Sequence, residues 1–181
     1  MQKFEEKKFN LPKLKGISEK TIEEHLKLYA GYVKNTNTVL EKENPKLGFE
    51  FDGMRNHEYY FSALENGPRD LKEDNELKKK IEKDFRIFNE WLEKFKNMAI
   101  TRGIGWAMLY YDKKTDQLLN AWVDEHHIGQ LATCEIIVAL DMWEHAFVAD
   151  YKPSGKKDYI NDFFDNLNWS VVEQNFANAT K

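Results

Sequence analysis

The chain of 181 residues is long enough for one domain, or for two small domains that share an interface. Its hydrophobic fraction of 41% and aromatic fraction of 14% predict a packed core and exclude a disordered chain. The net charge of −4 gives no indication of a nucleic-acid partner. The single cysteine, Cys134, excludes a disulfide framework and every multi-cysteine metal site.

The N-terminal sequence, residues 1–8, carries acidic residues and lacks the apolar core of a signal peptide. The apolar run Ile136–Leu140 is far too short to span a membrane. We therefore expect a cytoplasmic protein with no membrane segment.

The first part of the chain has the periodicity of helices. Ser18 is predicted to cap a first helix, whose apolar residues recur at helical spacing over 22–33 and which Asn44-Pro45 must end. A connection over 46–52 leads to a second predicted helix, which ends at Asn66-Gly67-Pro68. Two helices joined by a short link favour an antiparallel hairpin.

Residues 77–95 keep the helical period and predict one long helix or two in tandem. The period then changes, and residues 105–112, 117–123 and 134–140 are predicted strands, the last one fully buried. Helices follow after Pro153 and from Trp169. The predicted class is α+β: an N-terminal antiparallel helical hairpin domain over 1–72, then a domain over 73–181 with a three-stranded antiparallel sheet flanked by helices.

Histidines indicate the chemistry. His25 and His57 lie on the apolar stripes of the two hairpin helices, where each alone would be read as a core histidine but two on facing helices favour a shared ligand. Asp141 and His145 follow at i and i+4, where the buried third strand ends, and a carboxylate buried there must be paired or metal-bound. Three imidazoles and one carboxylate suit iron or manganese, and could hold zinc in a hydrolytic site.

Asp141-Met-Trp-Glu-His-Ala-Phe147 resembles the signature Asp-x-Trp-Glu-His-Ala-Tyr/Phe of the iron/manganese superoxide dismutase family. The resemblance extends from about Leu11 to Phe176. Further segments that are similar to the family's motifs, in the same order, are Leu11-Pro12, Ile17-Ser18, Thr21–His25, Asn56-His57, Gly103–Trp106 and Asn168-Trp169.

The resemblance implies that His25, His57, Asp141 and His145 bind one iron or manganese ion between the two halves of the chain. That ion would alternate between the 3+ and 2+ states and convert superoxide into oxygen and hydrogen peroxide. A homodimer is implied too, with Glu144 crossing the interface to the neighbouring metal site. The alternative is a relative with the same fold that serves as a non-catalytic binding or assembly subunit.

The resemblance also implies roles around the metal. Trp106 and Trp143 match the family's aromatic wall. Many iron members carry a Gln that donates to the metal-bound solvent at the position of Gly53, which has no side chain. Some members instead carry a His fifteen residues before the Asp ligand, and His126 stands there. His127 is the alternative by one residue of slippage, and both could be exposed loop histidines.

The first helix departs from the family's His-x-x-x-His-His-x-x-Tyr pattern. Tyr29 replaces its second His, which in the family bonds a Tyr of the other subunit, and Val148 replaces that Tyr. Tyr32 stands one residue earlier than the family's gating Tyr. Both tyrosines share the face of His25, so either could carry protons at the channel, or both could pack in the hairpin core. Ala139, two residues before the Asp ligand, leaves the choice of iron or manganese open.

Overall fold

The computed structural model describes residues 3–42 and 45–181, and its α+β fold confirms the predicted class. None of the helices in that part of the chain combines the length and apolar character needed to cross a membrane. The elements are, in chain order, α1 (Glu19–Glu41), α2 (Leu47–Ser62), α3 (Glu76–Phe85), α4 (Phe88–Ala99), β1 (Gly105–Asp112), β2 (Gln117–Asp124), β3 (Cys134–Asp141), α5 (Glu144–Tyr151), α6 (Lys156–Asn166) and α7 (Trp169–Ala179).

The hairpin begins where the sequence predicts. The Ser18 hydroxyl accepts a hydrogen bond from the Thr21 backbone N–H at 3.2 Å, which satisfies one of the free donors at the start of α1. Helix α1 ends at Glu41, and Asn44 of the predicted break lies outside the described residues. The short link places α1 and α2 side by side, and their packed faces bring His25 and His57 together.

Helix α2 begins at Leu47, so the predicted connection over 46–52 is wrong and the true link is shorter. Its first turns are helical because of tertiary packing. The Phe49 ring contacts Tyr32 of α1, and the Phe51 ring contacts Phe4 of the N-terminal segment, with ring centroids 6.1 and 5.7 Å apart. Packing of these partly buried aromatic rings favours helix in a segment with no side-chain N-cap of its own.

The stretch over 77–95 forms two helices, which is one of the two predicted arrangements. Arg86 adopts φ +77° between α3 and α4, a conformation that no α-helix can continue through. After β3 the chain forms α5, a helix of eight residues that the sequence analysis did not predict.

The sheet has the strand order β2-β1-β3 and is antiparallel throughout. Strand β1 is central, and its residues from Gly105 to Tyr111 are buried. Its second residue, Trp106, pairs with Asp141 at the end of β3. This register places an indole beside a buried carboxylate, at the end of the strands where β3 packs against the helical hairpin.

A buried ammonium group joins α3 to the β1–β2 turn. The Lys80 side chain is 7% exposed, and its Nζ donates to Asp84 Oδ1 at 3.0 Å and to the backbone carbonyl of Asp116. The other carboxylate oxygen of Asp84 accepts from the Leu118 backbone N–H at 2.7 Å. Removing the ammonium group would leave this partly buried carboxylate without its cation.

We expect Lys80→Met to lower the free energy of unfolding by about 1–3 kcal/mol, because the partly buried Asp84 carboxylate loses its cation. The matched control is Lys79→Met, whose ammonium lies 2.6 Å from Glu76 with both side chains more than half exposed. That change should cost only about 0–1 kcal/mol. Chemical denaturation of both variants measures the difference, and equal losses would contradict the assigned role of Lys80.

Candidate metal centre

Four side chains from four elements meet between the hairpin and the sheet. His25 comes from α1, His57 from α2, Asp141 from the end of β3 and His145 from the first turn of α5. One potential ligand atom from each lies within 4.8 Å of the other three, and we call these four residues the metal group. The side chains of His25, His57 and Asp141 have no exposed area, whereas that of His145 is 26% exposed.

The two carboxylate oxygens of Asp141 have different tasks. Oδ1 accepts a hydrogen bond from the Trp143 backbone N–H at 2.8 Å, in the turn that begins α5. Oδ2 faces the histidines, at 3.1 Å from Nε2 of both His25 and His145 and 3.5 Å from Nε2 of His57. One oxygen therefore fixes the local backbone, and the other lies at the centre of the histidine group.

The backbone fixes the tautomer of His57. Its Nδ1 lies 2.6 Å from the Gly53 carbonyl, which can only accept, so Nδ1 carries the hydrogen. The neutral ring then has a lone pair on Nε2, which is buried without a hydrogen-bond partner among the described residues. A lone pair 3.5 Å from a carboxylate oxygen is an unfavourable arrangement that a cation between them would relieve.

Electrostatics favour neutral rings on His25 and His57 beside an ionised Asp141. Burial lowers the pKa of His25, and Asp141 only partly opposes this effect. Burial also lowers the pKa of His57 well below its usual value. For Asp141, burial alone would raise the pKa, but the charge and hydrogen bonds of His145 and His25 hold it well below its ordinary value. These are the protonation states that metal ligation requires.

The donor set fits a first-row transition metal. Three imidazole nitrogens and one carboxylate oxygen suit iron or manganese, and they require no thiolate. The second nitrogen of His57 is bonded to a backbone carbonyl, as is usual for metal-binding histidines. The buried Nε2 of His57 has no hydrogen-bond partner among the described residues, so its lone pair is free to bind a metal ion. The residues present therefore fit such an ion.

Aromatic rings enclose the metal group. Trp106 meets the His57 ring edge-on at 5.0 Å, and Trp143 stacks against His145 at 5.7 Å. His126 is fully buried and stacks against Trp143 at 4.7 Å. The Trp106 indole N–H donates to His126 Nδ1 at 3.0 Å. Since an indole nitrogen can only donate, Nδ1 of His126 is an acceptor, and burial lowers the pKa of this histidine to about 4.

Tyr32 connects His126 to the metal group. Its ring stacks on His57 at 5.1 Å, and its hydroxyl lies 2.5 Å from His126 Nε2. The space for this ring exists because residue 53 is a glycine. A Cβ atom on Gly53 would lie 2.8 Å from the Tyr32 ring.

The other candidate residues lie apart from this contact network. The Tyr29 hydroxyl accepts from the Lys7 backbone N–H at 3.0 Å and donates to Glu58 at 3.3 Å, and burial raises its pKa to about 12. His127 packs edge-on against Phe49 rather than beside His57. The exposed side chain of Glu144 makes no hydrogen bond or ion pair with any described residue.

Two residues that hold His126 in place were missed as functional candidates. The Asn56 amide and the Gln130 amide both donate to the His126 carbonyl at 3.0 Å, and Tyr110 donates to the Gln130 side chain. Asn56 directly precedes the candidate ligand His57, and this position could have identified Asn56 as a functional candidate. Gln130 lies in an irregular loop, where spacing carries no information about contacts.

The comparisons with known proteins agree with this geometry. The family model described as "Iron/manganese superoxide dismutases, C-terminal domain" matches residues 73–175. The chain belongs to the iron/manganese superoxide dismutase family. It is 32% identical to the superoxide dismutase [Fe] of Methanothermobacter marburgensis over 171 aligned positions, which cover 84% of this chain and 83% of that protein.

Further relatives of this superoxide dismutase family member differ in the metal they are named for. The superoxide dismutase [Fe] of Aquifex aeolicus is 32% identical over 190 aligned positions, covering 93% of this chain and 88% of that protein. The superoxide dismutase [Mn] of Haloarcula marismortui is 38% identical over 106 positions, covering 59% of this chain and 51% of that protein. Both iron and manganese proteins are therefore among the relatives, which agrees with a site for one iron or manganese ion.

We expect Gly53→Ala to destabilise this family member by about 1–3 kcal/mol, because the added methyl group collides with the Tyr32 ring. Gly31→Ala is the matched control, since a Cβ atom on this helical glycine meets nothing within 4 Å beyond its own helix. That change should stabilise the protein by about 0.5–1 kcal/mol. Thermal or chemical unfolding measures both, and a neutral Gly53→Ala would show that Tyr32 does not occupy this space.

Proposed function

We propose that this protein is a superoxide dismutase whose metal ligands are His25, His57, Asp141 and His145. The buried lone pair of His57 opposite the Asp141 carboxylate carries the proposal, because a cation bound between the two makes that arrangement favourable. The family membership supports the same conclusion. When bound, an iron or manganese ion supplies the one-electron couple that oxidises one superoxide to oxygen and reduces a second to peroxide.

The chain's own task is to supply the protons that the second superoxide needs. Trp106 holds His126 with its hydrogen on Nε2, because Nδ1 already accepts the indole N–H. Nε2 then donates to the Tyr32 oxygen, which leaves the phenolic hydrogen of Tyr32 for another acceptor. We propose that Tyr32 Oη holds this hydrogen, donates it to the peroxide product and is reprotonated from solvent.

This assignment refines the expected role of His126. Sequence analysis predicts that His126 donates to the metal-bound solvent, but both of its ring nitrogens have protein partners. The contacts favour a role through Tyr32, whose ring lies directly on His57. Trp106 and Trp143 are proposed to exclude bulk water from the ligands and to orient His126.

We propose a homodimer in which Glu144 reaches the metal site of the partner. The support is its exposure without a partner in the described chain, next to a histidine that is itself 26% exposed. A second copy that covers these residues would pair the acid and bury His145. The division into domains at residues 72 and 73 remains a proposal, supported by a family model that begins at residue 73.

We propose the cytoplasm as the setting, since a chain with one cysteine has no internal disulfide to maintain. Superoxide is the proposed substrate. The net charge of −4 gives no support to a nucleic-acid partner.

We expect the protein reconstituted with iron or manganese to bind one ion per chain and to remove superoxide. His57→Ala should lose most of the bound metal, because it removes a ligand from the enclosed site. His127→Ala is the control and should keep it, since this ring packs on Phe49. Elemental analysis and a superoxide assay measure both. Full metal content with no superoxide removal would instead favour a binding or assembly subunit.

We expect Tyr32→Phe to keep the metal and lower turnover by about tenfold or more, because it removes the proposed proton donor. Tyr29→Phe should leave turnover unchanged, since its hydroxyl is engaged by Lys7 and Glu58. Pulse radiolysis on metal-matched samples measures turnover. If the two substitutions had equal effects, the distinction between the tyrosines would be wrong.

We expect the protein to sediment as a dimer at micromolar concentration. Glu144→Lys should weaken the dimer, because it places a cation where an acid is proposed to meet a histidine. Glu93→Lys is the control, because it makes the same change of charge at an exposed acid on α4, a helix that supplies none of the candidate ligands. Analytical ultracentrifugation reports both, and a wild-type monomer with full activity would exclude the proposed interface.

A further inference from the structure

We propose that three tyrosines behind the metal group, Tyr60, Tyr159 and Tyr151, carry oxidising equivalents from the site to the surface. The activity is protective: it removes an oxidant that would otherwise damage the ligands and the aromatic wall. It rests on the proposed function, because the oxidant is hydrogen peroxide, the product of superoxide dismutation. None of these tyrosines takes part in the proton path through Tyr32.

The tyrosine chain starts beside the ligands. The Tyr60 ring lies 5.2 Å from the ring of His25, and both are buried. The Tyr159 hydroxyl donates to the Asp141 backbone carbonyl at 2.8 Å and lies 3.2 Å from the Tyr60 hydroxyl. Since the carbonyl can only accept, Tyr159 gives its hydrogen to Asp141, and Tyr60 gives its own to Tyr159. Each buried phenol therefore has an acceptor.

The tyrosine chain ends at a carboxylate near the surface. The Tyr151 ring lies 5.7 Å from that of Tyr159, and its hydroxyl donates to Asp162 Oδ2 at 2.8 Å. Tyr151 is partly exposed at the end of α5. A phenol that loses an electron must also lose its proton, and a carboxylate is the strongest of the three acceptors in this chain. The radical is therefore most stable on Tyr151.

The arrangement also pairs that acceptor with a cation and holds it in place. The second oxygen of Asp162 lies 2.9 Å from the ammonium group of Lys15, and Asp162 is 16% exposed. Gly16 packs directly on this pair, since a Cβ atom there would lie 2.0 Å from the Tyr151 oxygen. The terminal phenol and its base are thus held by a close backbone contact rather than left free in solvent.

The redox step consumes one molecule of hydrogen peroxide and two electrons. Hydrogen peroxide takes one electron from the reduced metal ion and one from Tyr151, relayed through Tyr60 and Tyr159. It takes up two protons from solvent and leaves as two molecules of water. The phenolic proton of Tyr151 goes to Asp162, and a neutral tyrosyl radical remains. A soluble thiol then returns a hydrogen atom to Tyr151, and thiyl radicals combine to a disulfide.

The experiment uses the iron(II)-loaded holoprotein, mixed with peroxide in the absence of thiol. Freeze-quenched samples are examined by electron paramagnetic resonance, and parallel samples are treated with a nitroso spin trap and mapped by peptide mass spectrometry. We expect a tyrosyl signal and a trap adduct on Tyr151. In Tyr151→Phe the adduct is lost, and oxidation of Trp106 and Trp143 increases. Tyr59→Phe, on α2 beside Tyr60 but outside the tyrosine chain, leaves the wild-type pattern unchanged.

Superoxide removal and iron content are measured on the same samples. If Tyr151→Phe fails to hold iron, Tyr159→Phe replaces it and should lose the Tyr151 adduct in the same way. Wild-type protein that binds iron and removes superoxide, yet forms adducts on tryptophan and none on Tyr151, overturns the relay alone. Protein that binds no iron, or binds it and removes no superoxide, overturns the proposed function and the relay with it.

Discussion

A single buried carboxylate, that of Asp141, joins the parts of the molecule on which the site depends. Oδ1 accepts from the backbone at the start of α5, Oδ2 faces three imidazoles, and the backbone carbonyl accepts from Tyr159. An ionised carboxylate at zero exposure is costly unless it is paired. Here His25 and His57 stabilise it only in part, since burial lowers the pKa of both rings and favours their neutral form. A cation bound by the candidate ligands would complete the pairing, so the proposed chemistry of the site follows from the cost of burying one charge.

This charge also couples folding to metal binding. His25 and His57 belong to the hairpin, whereas Asp141 ends the third strand and His145 lies in α5, more than eighty residues later. The four ligand atoms come within 4.8 Å only when the hairpin lies on the sheet. An ion that binds this assembled group and not the unfolded chain stabilises the assembled state by mass action. A metal ion held by these residues would thus contribute to stability as well as to the proposed reaction.

Much of the fold and of the candidate site could be predicted from the sequence, because both leave patterns over short stretches of residues. The hairpin and the strands follow from periodicity, and the residues that now form the metal group were recognisable as histidines on apolar stripes and an acid at a strand end. The start of α2 could not be predicted, since Phe49 and Phe51 are helical through contacts with distant rings. Helix α5 was missed because eight residues are too few to show a period.

The two tyrosines of α1 show most clearly that local spacing does not predict long-range contacts. Helical spacing places Tyr29 and Tyr32 on the face of His25, yet Tyr29 is engaged by residues 22 and 29 positions away, and Tyr32 by a histidine 94 positions away.

Gly53, Tyr32 and His126 therefore act as one unit. The missing side chain of Gly53 makes room for the Tyr32 ring, and the ring's position brings its hydroxyl to His126. Trp106 then decides which nitrogen of His126 carries the hydrogen. A side chain added at position 53 would displace the Tyr32 ring and with it the hydroxyl that contacts His126. Substitutions at these residues should therefore have strongly non-additive effects on stability. The position of each side chain depends on the space or the hydrogen bond that its neighbour provides.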